Sequence, residues 1–152
     1  MGLEKYQELD PELEALAQAV IGAAIEVHRQ LGPGFLESVY EKALSIELSS
    51  RNIPHACQHP TQVCYRGAVV GEGRIDILVA ERLILELKCI DRFEPIHEAT
   101  VISYLKATNL NLGLLINFRK PRLVDGLKRV VYTPQSPSRT SRPSPLRGES
   151  NE

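Results

Sequence analysis

Residues 73–90, GRIDILVAERLILELKCI, decide how this chain is read. Segments 74–79 and 83–89 are rich in Ile, Val and Leu, with Ala80-Glu81-Arg82 between them, so the pattern predicts two strands joined by a short loop. Centring that loop on Glu81 places Asp76 opposite Glu86, and strand alternation puts Lys88 on the same face as Glu86. The other face, with Ile75, Ile77 and Val79 against Leu83, Leu85, Leu87 and Cys89, is apolar throughout. Leu78 and Ile84 flank the charged positions on their own face, so both faces are expected to be covered and the acids to lie in a cleft. Two adjacent carboxylates repel unless a cation joins them, and hard oxygen ligands suit Mg²⁺ or Mn²⁺. The hairpin therefore predicts a metal site with a lysine beside it.

Working outward, 152 residues suffice for one domain with a proper core. The net charge of −1 argues neither for nor against a polyanionic partner, but its distribution is uneven. Residues 1–60 carry nine acids and four bases, whereas 61–152 carry ten acids and fourteen bases. A basic C-terminal half beside an acidic metal site suits a phosphate-bearing substrate, although a solvated helix and tail would look the same. The first residues are polar and acidic, unlike a secretion signal, and no apolar run is long enough for a bilayer, so no membrane association is expected. Cys57, Cys64 and Cys89 lack metal-ligand spacing and read as reduced thiols. The expected location is cytoplasmic.

Asp10-Pro11 opens a first helix, with Asp10 as N-cap and Pro11 at the first helical position. Its apolar stripe runs through Leu13, Leu16, Ala17, Val20, Ile21, Ala24, Ile25, His28 and Leu31, up to the break at Gly32-Pro33-Gly34. His28 on that stripe reads as a structural residue. A second helix is expected from Phe35 to about Ser50, burying Leu36, Val39, Tyr40, Ala43, Leu44 and Leu48. Strands follow at 61–66, about 69–79 and 83–90, with Gly71 and Gly73 suggesting a bulge or the close approach of another backbone. A third helix covers roughly Ile96–Thr108, Leu112–Phe118 is a buried fourth strand, and Leu123–Tyr132 is a short amphipathic element. The expected organisation is a flexible segment 1–10, one folded unit 11–132, and a Pro/Ser/Arg-rich tail 133–152 without a core of its own.

The run Gly34-Phe-Leu-Glu37-Ser-Val-Tyr40 matches the signature of the GxxExxY protein family, and Ile75-Asp76, Glu86-Leu-Lys88 and Ile96-His97-Glu98-Ala99 follow in the family's order. That family is similar to the PD-(D/E)xK nuclease superfamily. The resemblance spans roughly residues 12–132. It implies an α/β, restriction-endonuclease-like core: a mixed central sheet of about four strands flanked by helices, with an N-terminal helical pair. It also assigns Asp76 and Glu86-Leu87-Lys88 to the superfamily's metal-binding motif and Glu37 to its helical acid. Where relatives often carry Gln before the helical Tyr, this chain has Thr100 before Tyr104, which shortens the reach of any substrate contact there.

The chemistry so implied is metal-dependent phosphodiester hydrolysis, with DNA preferred to RNA as the expected substrate. Asp76, Glu86 and the Leu87 carbonyl would hold Mg²⁺ or Mn²⁺, and Lys88 would orient the water, neutralise developing charge or act as base. Against this stands a buried Asp–Lys–Glu network that only satisfies itself. Glu37 reads either as a metal-site acid or as a surface acid near a helix N-terminus. Tyr40 reads as a core aromatic whose hydroxyl fixes Glu37 or another polar group. His97, Thr100 and Tyr104 share a helix face and either line the cleft or pack on the sheet. Lys106, Lys128 and Arg129 would contact phosphates or merely be solvated. Two further functions remain open: a catalytically silent nucleic-acid-binding or regulatory module, and a phosphoesterase acting on a small nucleotide.

Overall fold

The computed structural model describes residues 10–134. The expected flexible start, except Asp10, and the expected tail, beyond residue 134, lie outside the described residues. Helix α1 (Pro11–Leu31) starts where Asp10 Oδ1 accepts the Glu12 N–H at 2.9 Å. Its buried side is Leu13, Ala17, Val20, Ala23, Ala24, Val27 and His28. The stripe is thus rotated from the expected one: Ala23 and Val27 are buried, while Ile25 is exposed. Helix α2 (Glu37–Ser50) begins two residues later than expected, so Leu36 stands in its N-cap position. That places Leu36 outside the helix and leaves Val39 in the exposed first turn, where the expected burial of both fails.

The sheet has five strands in the order of the sequence: β1 (His55–Tyr65), β2 (Ala68–Val79), β3 (Leu83–Lys88), β4 (Leu112–Asn117) and β5 (Leu127–Val131). All neighbours are antiparallel except β3 and β4, which are parallel and joined by helix α3 (Pro95–Thr108), as a parallel crossover requires. The fold is the α/β, restriction-endonuclease-like arrangement that the sequence implies, with one strand more than the expected four. The extra strand arises because 123–132 is not one amphipathic element. It divides into a 3-10 turn, Leu123–Gly126, and strand β5. Strand β1 also starts six residues earlier than expected. Pro60 is tolerated in it because β1 is an edge strand whose outer side needs no ladder partner.

Two apolar clusters sandwich the sheet. Residues Ile77, Val79, Leu83, Leu85 and Leu87 pack with α1 and α2, and Leu78, Ile84 and Leu115 pack with Val101 and Leu105 of α3. Each fully buried Leu or Ile contributes roughly 1.5–3 kcal/mol of apolar burial. Ile75 departs from the expected face: it joins the α3-side cluster, not that of Ile77. Between those two positions stands Asp76. On β1, the facing residue Gln58 has a φ of 52° and falls out of the register between Cys57–Ile77 and His59–Ile75. Strand β2 therefore changes the faces it presents at the position of the first candidate acid.

The expected irregularity near Gly71 is present as a shift of register between Val63 and Cys64, with Val63 opposite Gly71 and Cys64 opposite Val69. At Gly73 the near neighbour is a side chain. A Cβ there would lie 2.7 Å from Tyr104 Cε1, so the absent side chain is what lets α3 lay its tyrosine over β2.

Candidate active site

The β2–β3 pairing has the register expected from the sequence at Val79–Leu83, Leu78–Ile84 and Ile77–Leu85, and stops there. One position further on, the strands are tied by a side chain: the Leu87 N–H donates to Asp76 Oδ2 at 2.8 Å. Asp76 and Glu86 are thus not ladder partners, but they stand where the two strands separate, near enough that the Asp76 charge bears on Glu86. Glu86 is 7% exposed, and its Oε1 is buried without a hydrogen-bond partner. Its Oε2 lies 3.6 Å from Lys88 Nζ, an ion-pair distance longer than a good charge-assisted hydrogen bond.

Burial is the main reason that the Glu86 carboxyl is pushed up to about 7, with the Asp76 and Glu37 charges adding to it and Lys88 opposing. The Asp76 carboxyl is raised by burial too, against the Leu87 N–H and Lys88, which favour its ionised form. Glu37 is raised by partial desolvation, opposed by Lys88 and reinforced by Asp76. One lysine, Lys88, therefore acts on all three carboxyl groups.

Glu37 reaches this group from α2, and the spacing of its neighbours explains how. Gly34 has a φ of +114°, which favours glycine, and so turns the chain into the helix. The Tyr40 hydroxyl donates to the Gly32 carbonyl and accepts the Phe35 N–H at 3.3 Å. Its ring stacks on Phe118, with centroids 4.5 Å apart. Tyr40 thereby clamps the loop that precedes Glu37 and fixes the first turn of α2. The hydroxyl does hold a polar group, but it is the backbone of this loop and not Glu37.

The remaining residues singled out in the sequence are placed as follows. His97 Nδ1 accepts the Glu94 N–H at 2.8 Å and completes a reciprocal cap on α3. Thr100 Oγ1 donates to the Ile96 carbonyl, and Tyr104 packs in the α3-side cluster over Gly73. Lys106 is exposed in the last turn of α3. Lys128 pairs with Glu98 at 3.4 Å and Arg129 with Glu14 at 2.7 Å, both across the edge strand β5. None of these three cations is among the charges that act on Asp76 or Glu86. His28 Nε2 meets the Lys120 carbonyl at 2.8 Å, and its ring stacks on Phe118, a structural role. Cys89 is half-buried against the α1/α2 cluster and also lines a pocket beside Glu37.

Three contributors escape the sequence reading. Glu41, one helical turn after Glu37, is raised by desolvation, and the Asp76 charge adds to it. Gln58 Nε2 donates to Glu41 Oε1 at 2.8 Å, and the Gln58 side chain is near enough to Asp76 to favour its ionised form. The i,i+4 spacing of Glu37 and Glu41 was a usable signal. Gln58 gave none, because its strand reads as loop. Asn117, fully buried, donates to the Ile90 carbonyl at 2.8 Å and accepts the Ile90 N–H at 3.1 Å. It pins the chain just beyond Lys88.

Among the described residues, no three Asp, Glu, His or Cys side chains stand close enough to form a ready metal cage. Two carboxylates, one with an orphaned oxygen, nevertheless fit Mg²⁺, which is commonly held by one or two carboxylates and keeps several waters. Among the described residues no helix is long and apolar enough to cross a membrane. Comparison with known protein families matches residues 14–130 to the PD-(D/E)XK nuclease superfamily. No curated protein and no solved structure matches the chain.

Proposed function

The chain belongs to the PD-(D/E)XK nuclease superfamily, and from that premise we propose that it cleaves phosphodiester bonds of nucleic acid, DNA before RNA, with Mg²⁺ or Mn²⁺ held by Asp76, Glu86 and the Leu87 carbonyl. The observation that carries this reading is the Glu86 Oε1 atom, buried and without a partner beside a second carboxylate. A self-contained ion-pair network would leave no such atom, since an unpaired buried acceptor costs about 1–3 kcal/mol. The Gly34–Tyr40 signature adds support: its glycine and tyrosine shape the loop that carries Glu37.

The bound cation would polarise the phosphate and lower the pKa of an attacking water. The protein's own residues do the rest. The Leu87 N–H fixes Asp76 through its Oδ2. Lys88, half-exposed and only loosely held by Glu86, has the freedom to orient water or to meet the charge that develops on the phosphate. Glu37 and Glu41 keep the site acidic from the α2 side.

The test is cleavage of duplex, single-stranded and branched DNA, and of RNA, with and without Mg²⁺ or Mn²⁺. Wild-type protein should cut DNA only with metal, Asp76→Asn should not cut, and Lys88→Ala should lower the rate strongly while affinity changes little. Metal binding without cleavage of any substrate above the Asp76→Asn control would replace this reading with a silent binding module.

A further inference from the structure

Beside the acids lies a second feature that hydrolysis alone does not require. A pocket of about 710 Å³ opens at the start of α2, lined by Phe35, Leu36, Val39, Cys89, Arg119 and Glu37, together with Gly34. Its volume falls within the roughly 300–1,000 Å³ of small-molecule sites. Glu37 belongs both to this pocket and to the acid group, so whatever fills the pocket sits next to the reacting phosphate.

The rim is apolar where the chain would gain by being polar. Phe35 is 49% exposed and Leu36 75% exposed, and Leu36 occupies the N-cap position of α2 with no capping hydrogen bond. Ser, Thr, Asp or Asn would be favoured at that position. A large exposed aliphatic residue at a helix cap is a local rule broken, which marks functional positions more often than packing ones. Phe35 is held ready: its ring meets Tyr40 edge-on, with centroids 6.2 Å apart, and its N–H bonds the Tyr40 hydroxyl. Arg119 lines the same pocket with a side chain 59% exposed, its guanidinium 3.7 Å from Asp91. An aromatic ring and a guanidinium plane are the two protein surfaces on which nucleobases stack, and the guanidinium also suits a phosphate.

We propose that this pocket takes an unpaired nucleobase adjacent to the scissile phosphodiester, so that the preferred substrate is a single strand or a frayed end and not an intact duplex. Bases in a duplex are stacked on their neighbours and cannot enter a pocket beside the backbone without being extruded. The inference rests on the nuclease reading for the position of the phosphate, and the experiment separates the two.

Binding is measured with the full Asp76→Asn chain in Mg²⁺, using DNA that carries 2-aminopurine in a single strand, a frayed end or a blunt duplex. The expected result is quenching of the unpaired probe and at least tenfold tighter binding than to the blunt duplex. Adding Phe35→Ala should weaken single-strand binding roughly fivefold or more, the loss of one stacking partner, while duplex binding changes less than twofold. Leu36→Ser, at an exposed position where serine also caps the helix, should act in the same direction and keeps the test valid if Phe35→Ala melts early. Equal affinity for paired and unpaired probes, or equal losses on both in the two variants, would overturn the proposal. Cleavage by the wild type divides the remaining outcomes. An intact single-strand preference without cleavage of any substrate supports the pocket and refutes the nuclease reading. Metal-dependent cleavage with neither preference nor a Phe35→Ala effect refutes the pocket alone.

Discussion

The two ends of the β2–β3 hairpin are built from neighbouring residues and do opposite things. At the turn end, Val79–Leu83, Leu78–Ile84 and Ile77–Leu85 are paired, and their side chains are buried in the two apolar clusters. At the open end, one position on, the ladder stops, a carboxylate takes a backbone N–H, and a second carboxylate is buried with an oxygen unsatisfied. The first end supplies stability. The second gives stability up, and on the function proposed above the strands separate there so that the acids can converge on a metal and a phosphate.

The largest effect on stability should come from the closed end. Leu85→Ala removes a fully buried side chain and should cost about 2–5 kcal/mol in denaturant unfolding. Metal affinity of the folded fraction should be nearly unchanged. If Leu85→Ala proved as mild as a surface change, the two ends would not differ as described.

At the open end the sign reverses. The Glu86 carboxyl sits at about 7 in the folded chain, above its ordinary 4.5, so the folded state holds that proton more tightly than the unfolded one. Without metal, this group's contribution is therefore fully present below about pH 4.5 and is lost as pH rises through 7, by at most about 3 kcal/mol. Glu86→Gln should flatten that slope and stabilise the metal-free protein at pH 8, as read by melting temperature across pH. Saturating Mn²⁺ should make the wild type gain more at pH 8 than at pH 6, because the cation needs the ionised acid. A wild-type slope that survives Glu86→Gln would assign it to another group.

Smaller effects sharpen the contrast further. Leu36→Ser should stabilise by about 1 kcal/mol, because it restores a helix cap at a position that is now apolar and exposed. Arg129→Ala removes a partly exposed ion pair with Glu14 and should change stability by less than about 1 kcal/mol and cleavage hardly at all. A strong loss of substrate binding in Arg129→Ala would bring edge strand β5 into the interface after all.

How much of this could be read from sequence follows from the same physics. The turn end was legible because alternation and a short loop fix register, and the pairs found are those expected. Asp76, Glu86 and Lys88 were legible because charges interrupt an apolar run. The first part of strand β1, residues 55–60, was missed because His55, His59 and Pro60 carry no strand pattern, and it forms on pairing with β2. With it went Gln58, whose left-handed backbone and contact with Glu41 depend on that pairing. Leu36 and Val39 looked buried by helical spacing. Their exposure depends on where α2 starts, and Gly34 and the Tyr40 hydroxyl set that start. Ile75 follows β2's alternation in sequence and leaves it in the fold, because the strand changes faces at Asp76.

The most direct measurement is titration calorimetry of Mn²⁺ into the wild-type chain and into Asp76→Asn at pH 8. Asparagine keeps an acceptor for the Leu87 N–H, so the fold should persist while the ligand charge is lost. The expected result is one saturable site in the wild type, at least tenfold weaker or absent in the variant, with the two metal-free proteins melting within a few degrees of each other. Equal Mn²⁺ binding by both, or none by either, would contradict a metal site at the open end of the hairpin.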